Sequence, residues 1–201
     1  MIPAEEALNL LLEGNKQYSS EHSIYYEELD RVRRQTYLAQ EPIAIIIGCS
    51  DARVPVEIIF NCKPGDLFVV RIAGNVLNAD IVGSVEYAIK YLGVNLVFVL
   101  GHSNCGVFNA ALSGDKLSFE LKGLINKVRS AVYHAKRYGG EDVEDIKEKA
   151  IKANVTDISE DIEEICHRFI ADDAGRKIGV AGGYYHLENG KVEIIKQISM
   201  K

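Results

Sequence analysis

No stretch of the 201 residues is apolar for the length of a membrane span, so no membrane partner is expected. Basic residues are not in excess. The formal net charge is −6, with acids and bases interspersed, whereas a nucleic-acid binder normally presents a basic face. The overall sign says little about a small substrate, because a local pocket can carry the opposite charge. There is no repeat and no low-complexity segment. The start, MIPAEEALNLLLEG, lacks a basic n-region and carries two early glutamates, so it does not read as a secretory signal. The expected compartment is the cytoplasm. There the four cysteines (Cys49, Cys62, Cys105 and Cys166) are expected as thiols or metal ligands rather than disulfides. No Cys-x-x-Cys pair is present, which argues against a thiol redox protein.

Apolar residues make up 47% of the chain, enough for a sizeable core in one domain over 1–201 without disulfide staples. Within residues 3–18, Ala7, Leu8, Leu11 and Leu12 recur at helical spacing. A second helix is expected over 26–39, ending before Pro42. These two make an N-terminal helical arm (1–39) ahead of an α/β core (40–201). In the core the period changes. Continuous apolar runs at 43–47, 67–71, 96–100 and 178–181 read as strands buried on both faces. Helical stretches alternate with them over 79–91 and 117–138, and two acidic helices follow over 142–155 and 159–170. Residues 184–187 and 192–195 flank Asn189-Gly190, a hairpin signal suited to a type I′ turn. The expected fold is α/β. A mostly parallel central sheet of about four strands carries an antiparallel edge strand and is flanked by helices.

Two loops follow predicted strands, at the carboxyl ends where open parallel sheets gather their ligands. One reads Gly48-Cys49-Ser50-Asp51-Ala52-Arg53-Val54-Pro55, the other Gly101-His102-Ser103-Asn104-Cys105-Gly106. Taken singly, Cys49 reads as a small core residue and His102 as a hydrogen-bonded histidine. If the strands are neighbours, Cys49, His102 and Cys105 converge, and two thiolates with an imidazole suit zinc. No fourth ligand is evident, which favours a catalytic over a structural site. The flanking glycines are expected to permit the tight path of the second loop. Asp51 and Arg53 read as a pair beside the metal, Arg53 keeping Asp51 ionised.

These residues resemble the Cys-x-Asp-x-Arg and His-x-x-Cys pattern of the beta-class carbonic anhydrases. The segments PGDLFVVRIAGN, GSVEYAIKYLGV and AGGYYHLENGKV resemble family segments in the family order, so the likeness covers roughly residues 40–196. It implies the reversible hydration of carbon dioxide to bicarbonate and a proton, by a hydroxide that zinc generates. One zinc per chain would sit on Cys49, His102 and Cys105, with Asp51 and Arg53 as the catalytic dyad. It implies a homodimer or higher homo-oligomer. Gln40, Phe68 and Tyr87 match positions lining the substrate pocket in the plant-like branch, where the glutamine comes from the partner subunit. Val54 is a further candidate wall, and the Gly106 amide a candidate donor to bicarbonate at a helix start. The branch with a closed site usually has tryptophan near position 46; this chain has Ile46 and no tryptophan, so the resemblance favours the open-site branch. Ile72 and Val107 depart from the commonest pattern, where Asn and Gly or Ala are frequent; they bear on pocket polarity. Two thiolates would cancel much of the zinc charge, which predicts activity rising above neutral pH.

Cys62 reads as a structural residue in a turn. Cys166 and His167, adjacent on a helix, are expected to point in different directions. The run 141–149 reads as a solvated helix face, Arg71 as a strand-end residue paired with an acid, and Gly74 and Asn75 as shaping a loop. His22, His134, His167 and His186 read as surface or packing residues. The rival functions are hydrolysis of carbon disulfide or carbonyl sulfide with the same ligands, and a non-catalytic zinc-binding scaffold.

Overall fold

The computed structural model describes residues 2–20, 29–138, 142–171, 173 and 175–200. Its elements are, in order, helices α1 (Ala4–Ser19) and α2 (Leu29–Thr36), strand β1 (Ala44–Gly48), helix α3 (Val56–Ile59), strand β2 (Leu67–Arg71), helix α4 (Ala79–Leu92), strand β3 (Leu96–His102), helices α5 (Gly106–Ser113), α6 (Phe119–Tyr138) and α7 (Val143–Phe169), and strands β4 (Gly179–Tyr185) and β5 (Val192–Met200). The five strands form one sheet in the order β2-β1-β3-β4-β5. Pairings β1–β2, β1–β3 and β3–β4 are parallel, and β4–β5 is antiparallel. The α/β expectation with its antiparallel edge holds. The second predicted helix contracts to α2, and positions 26–28, like His22, lie outside the described residues.

Both faces of the central strands are covered, which is why they read as unbroken apolar runs. Ala44, Ile46, Leu96, Phe98 and Leu100 pack on one face with Ala7, Leu8 and Leu11 of α1. Ile45, Ile47, Val97 and Val99 turn to the other, against Val85 and Ile89 of α4 and Val155, Ile158 and Ile162 of α7. A third cluster joins Cys49 and Cys105 to Phe108 of α5, Val128 of α6 and Ile146 and Ile151 of α7. Helix α4 is capped by the Asn78 side chain, which accepts from the Ile81 amide, and ends at left-handed Gly93.

Two expectations are corrected. The two acidic helices are one, the 27-residue α7. The expected gap, residues 156–158, is helical as well, and Asn154, Val155, Ile158 and Ser159 in and around it are buried. The Ser159 hydroxyl donates to the Val155 carbonyl at 2.7 Å, and Thr156 to Lys152 at 3.2 Å, so the polar groups are satisfied inside the helix. The β4–β5 turn is not type I′. Among the described residues Asn189 has no positive φ and Gly190 does (73°). His186 and Lys191 close a longer loop through the His186 amide and the Lys191 carbonyl, at 2.9 Å. Among the described residues, no helix is long and apolar enough to cross a membrane.

Candidate metal centre

The strand order reverses between β2-β1 and β3-β4, and the crevice at the carboxyl ends of β1 and β3 is where such sheets bind ligands. Gly48 pairs with Leu100, so Cys49 leaves β1 level with the end of β3. His102 is the last residue of β3, and Cys105 immediately precedes α5. All three are buried, and their ligand atoms lie within 4.8 Å of one another, the one such cluster of three among the described residues.

The donor set suits a metal. His102 Nδ1 lies 2.9 Å from the Ser103 carbonyl oxygen, which can only accept, so Nδ1 carries the ring proton. Nε2 is left with a lone pair, fully buried and without a hydrogen-bond partner. The Cys49 and Cys105 sulfurs are 4.0 Å apart. Cys49 is held well below the ordinary thiol range, chiefly because the Cys105 thiol donates to it; the Gly74 and Asp51 amides add to this, against burial. Cys105 is correspondingly raised, although the backbone amides of Val107 and Phe108 pull the other way. A negative sulfur, a second thiol and an orphaned nitrogen lone pair make a site that a thiophilic cation of zinc type fits, with Cys49, His102 and Cys105 as its ligands.

Backbone geometry supports the cluster. The Gly74 N–H donates to Cys49 Sγ at 3.3 Å. Gly74 has φ of 70°, and a Cβ there would stand 2.9 Å from Val107 Cγ1, so both the turn and the approach require glycine. The expectation that flanking glycines give the second loop its tight turn is corrected. Asn104 takes the left-handed conformation there, with φ of 56°. Gly101 is required instead by space, because a Cβ would come within 2.6 Å of Val155 Cγ2.

Asp51 and Arg53 form a two-pronged pair. Arg53 Nε donates to Asp51 Oδ1 at 3.0 Å and Nη2 to Oδ2 at 2.8 Å, and the Arg53 amide also reaches Oδ1, at 2.9 Å. These bonds hold the Asp51 carboxyl far below the usual carboxylate range. Asp51 Oδ2 stands 4.0 Å from His102 Nε2, beside the metal position. Among the described residues Arg71 pairs with no acid, contrary to expectation. Its guanidinium donates to the carbonyls of Cys49 (2.8 Å) and Asp51 (2.6 Å), fastening the first loop to β2.

The structure thus brings together Cys49, His102 and Cys105, the Asp51–Arg53 pair and Gly106, the first residue of α5. Val54 is fully buried in the core on the α1 face. Gln40 is exposed and precedes β1 at the opposite end of the sheet. Phe68 is the second residue of β2, level with Ile45, and its ring lies 6.2 Å from that of Tyr87, which in turn stacks on Tyr91 at 5.4 Å. Within one chain these last three do not reach the cluster. Cys62 and Cys166 are buried free thiols, and His167 is exposed beside inward-facing Cys166. Lys147 and Asn154, buried polar residues on α7 not expected at the site, bond to Asn104 and to the Gly74 carbonyl beside Cys49. The signal was there: 147, 150, 151 and 154 share one helix face with apolar Ala150 and Ile151.

An open, mostly parallel sheet carries at its switch point a Cys-His-Cys cluster that could hold a metal ion. Residues 44–192 match the protein family described as carbonic anhydrase. Carbonic anhydrase 2 of Mycobacterium tuberculosis is 32% identical over 189 residues, covering 92% of this chain and 89% of its own length. The carbonic anhydrase of Mycolicibacterium smegmatis is 30% identical over 192 residues, covering 94% and 91%. Among solved structures, the Coccomyxa beta-carbonic anhydrase in complex with acetazolamide superposes with a TM-score of 0.75 at 26% identity, covering 96% of this chain and 87% of that one. The beta-carbonic anhydrase CafA of Aspergillus fumigatus shares the fold, with a TM-score of 0.74 at 23% identity over 93% and 89%. The chain belongs to the beta class of the carbonic anhydrase family of enzymes.

Proposed function

We propose that this enzyme is zinc-dependent and catalyses the reversible hydration of carbon dioxide to bicarbonate and a proton. One zinc per chain is held by Cys49, His102 and Cys105. The observation that carries this reading is the buried, unpartnered His102 Nε2 within 4.8 Å of two cysteine sulfurs. When bound, zinc supplies a strong nucleophile from water near neutral pH.

The remaining work falls to the chain. Asp51 is kept ionised by Arg53, so its carboxylate is an acceptor at the reacting centre at every working pH. That acceptor orients the attacking group. The Gly106 amide, at the start of α5, faces the anionic product with an N–H. Both Asp51 oxygens are engaged by Arg53, which supports the open-site branch, with Asp51 kept off the metal.

Gln40, Phe68 and Tyr87 line the pocket of a second copy. Strand β2 is a sheet edge, and beside it runs the aromatic row Phe68, Tyr87 and Tyr91, with Tyr91 77% exposed. An open edge strand next to exposed aromatics supports a homodimer or higher homo-oligomer. Four free cysteines support the cytoplasm as its place.

The test is stopped-flow carbon dioxide hydration between pH 6 and 9 on protein of measured zinc content. Rapid hydration with one zinc per chain, rising above neutral pH, supports the reading. Stoichiometric zinc with no hydration at any pH overturns it and directs the assay to carbon disulfide and carbonyl sulfide.

A further inference from the structure

Helix α7 reaches two loops at the cluster with polar side chains, the one between His102 and Cys105 and the one after β2 that carries Gly74. Lys147 Nζ donates to Asn104 Oδ1 at 3.0 Å, in the loop between His102 and Cys105. Asn154 Nδ2 donates to the carbonyl of Gly74 at 3.4 Å, and the Gly74 amide in turn donates to Cys49 Sγ. Seven residues separate the two donors, so they leave the same helix face, roughly 10 Å apart along the axis. They are 6% and 4% exposed.

A lysine so deeply buried is unusual, because its ammonium loses hydration and needs compensation. Lys147 has two partners. One is the exposed carboxylate of Glu144, a turn earlier on the same helix. The other is Asn104, whose backbone is left-handed (φ 56°) and whose carbonyl accepts from Arg53 Nη2 at 3.3 Å. The Arg53 guanidinium is therefore gripped twice, by the Asp51 carboxylate and by the Asn104 peptide. The side chain that fixes this peptide is held by Lys147.

We infer that Lys147 is a positioning residue for the Asp51–Arg53 pair, acting through Asn104. The inference deepens the proposed reaction and rests on it for its kinetic consequence, but its geometric consequence is separable. A purely structural lysine gives a different pattern. The ion-pair partner Glu144 is exposed, so Lys147→Met leaves no buried charge uncompensated, and a structural role would leave Arg53 undisturbed.

The experiment uses the zinc-loaded full chain and four variants: Lys147→Met, Lys147→Arg, Asn104→Gly and the Lys147→Met/Asn104→Gly double. Glycine at 104 tolerates the left-handed backbone and removes the whole side chain, amide and Cβ included. The primary readout is hydrogen exchange of the Arg53 Nε proton by nitrogen-15 NMR. Exchange is expected to quicken about tenfold in Lys147→Met and in Asn104→Gly, the worth of one charge-assisted hydrogen bond, with kcat falling by a similar factor. Zinc content stays at the wild-type level. The double variant matches the single variants, because residues in one chain of bonds are not additive. Lys147→Arg, which keeps a donor, restores most of the protection. Unchanged Arg53 exchange in Lys147→Met, or losses that multiply in the double variant, would overturn the inference. If Lys147→Met does not fold, Asn104→Gly decides the matter alone by the same exchange measurement. A wild type that hydrates no carbon dioxide would sink the proposed function, while Arg53 exchange would still decide the positioning role.

Discussion

The sulfur atoms of Cys49 and Cys105 stand 4.0 Å apart although 56 positions separate the residues in the chain. The parallel register of β1 and β3, with Gly48 opposite Leu100, produces this meeting. Each ligand follows its own buried strand, so removing one leaves the scaffold in place. Cys105→Ser and His102→Ala should each remain folded by circular dichroism while zinc, measured by atomic emission, falls from about one per chain to a small fraction. Full zinc in Cys105→Ser would show that the metal is bound elsewhere.

Asp51→Asn preserves size and removes the charge that Arg53 sustains. Zinc content should be unchanged, and kcat/KM for hydration should fall by on the order of a hundredfold or more. Arg53→Lys keeps a positive charge but loses the planar fork that grips both Asp51 oxygens, so it should also be impaired. Activity within threefold of wild type for Asp51→Asn would remove Asp51 from the mechanism, since about 0.7 kcal/mol is too little for a group at the reacting centre.

Gly101→Ala tests the packing behind the ligands. Its Cβ would meet Val155 Cγ2 at 2.6 Å and Ile151 Cγ2 at 3.0 Å, both on the rigid α7. Overpacking of this kind should cost about 1–3 kcal/mol in urea unfolding. Because His102 is the next residue, zinc affinity should weaken as well. A variant as stable as wild type would mean that α7 retreats without cost.

Alkaline stability follows from two thiols remote from the metal. Burial, the largest cause in both, pushes Cys62 and Cys166 up to about 12, with nearby carboxylates adding to it. In the unfolded chain each loses its proton near pH 8.5. Below that value neither thiol distinguishes the two states, and the full contribution is present. Above it the unfolded chain releases protons that the folded chain retains, so stability falls as pH rises towards 12, by up to about 1.4 kcal/mol per pH unit for each thiol. Urea midpoints from pH 8 to 10.5 should drop less steeply for the Cys62→Ala/Cys166→Ala double variant than for wild type. Equal slopes would assign the alkaline loss to other groups, among them the buried Tyr184 and Tyr185, both also raised.

The strands were legible because burial on both faces leaves uninterrupted apolar runs such as Ala44–Gly48. The cluster of Cys49, His102 and Cys105 was legible because its members fall within the short segments that follow two of those runs. The continuity of α7 was not, because Thr156 and Asp157 in the expected gap are weak helix formers, and burial of Val155 and Ile158 against the sheet carries the helix through them. The short α3 lay below the length at which periodicity speaks. Lys147 was hidden inside a charged run, where spacing alone cannot tell the one inward-facing charge from its solvated neighbours. The bonds from Arg71 to two carbonyls needed the fold, since nothing in a sequence marks a backbone oxygen as an acceptor.

Helix α7 is one rod with three obligations along it. Lys147 meets Asn104 and Asn154 meets Gly74, and further on Glu163 accepts from Lys196 Nζ (2.7 Å) and the Ser199 hydroxyl (2.6 Å) on β5. A residue inserted or deleted between 155 and 162 would turn everything beyond it by roughly 100°. One end would have to release its partners for the other to keep them. Substitutions can be absorbed singly along such a rod, but its length cannot drift, and homologous chains that share these contacts should show gaps in their loops and none within this helix.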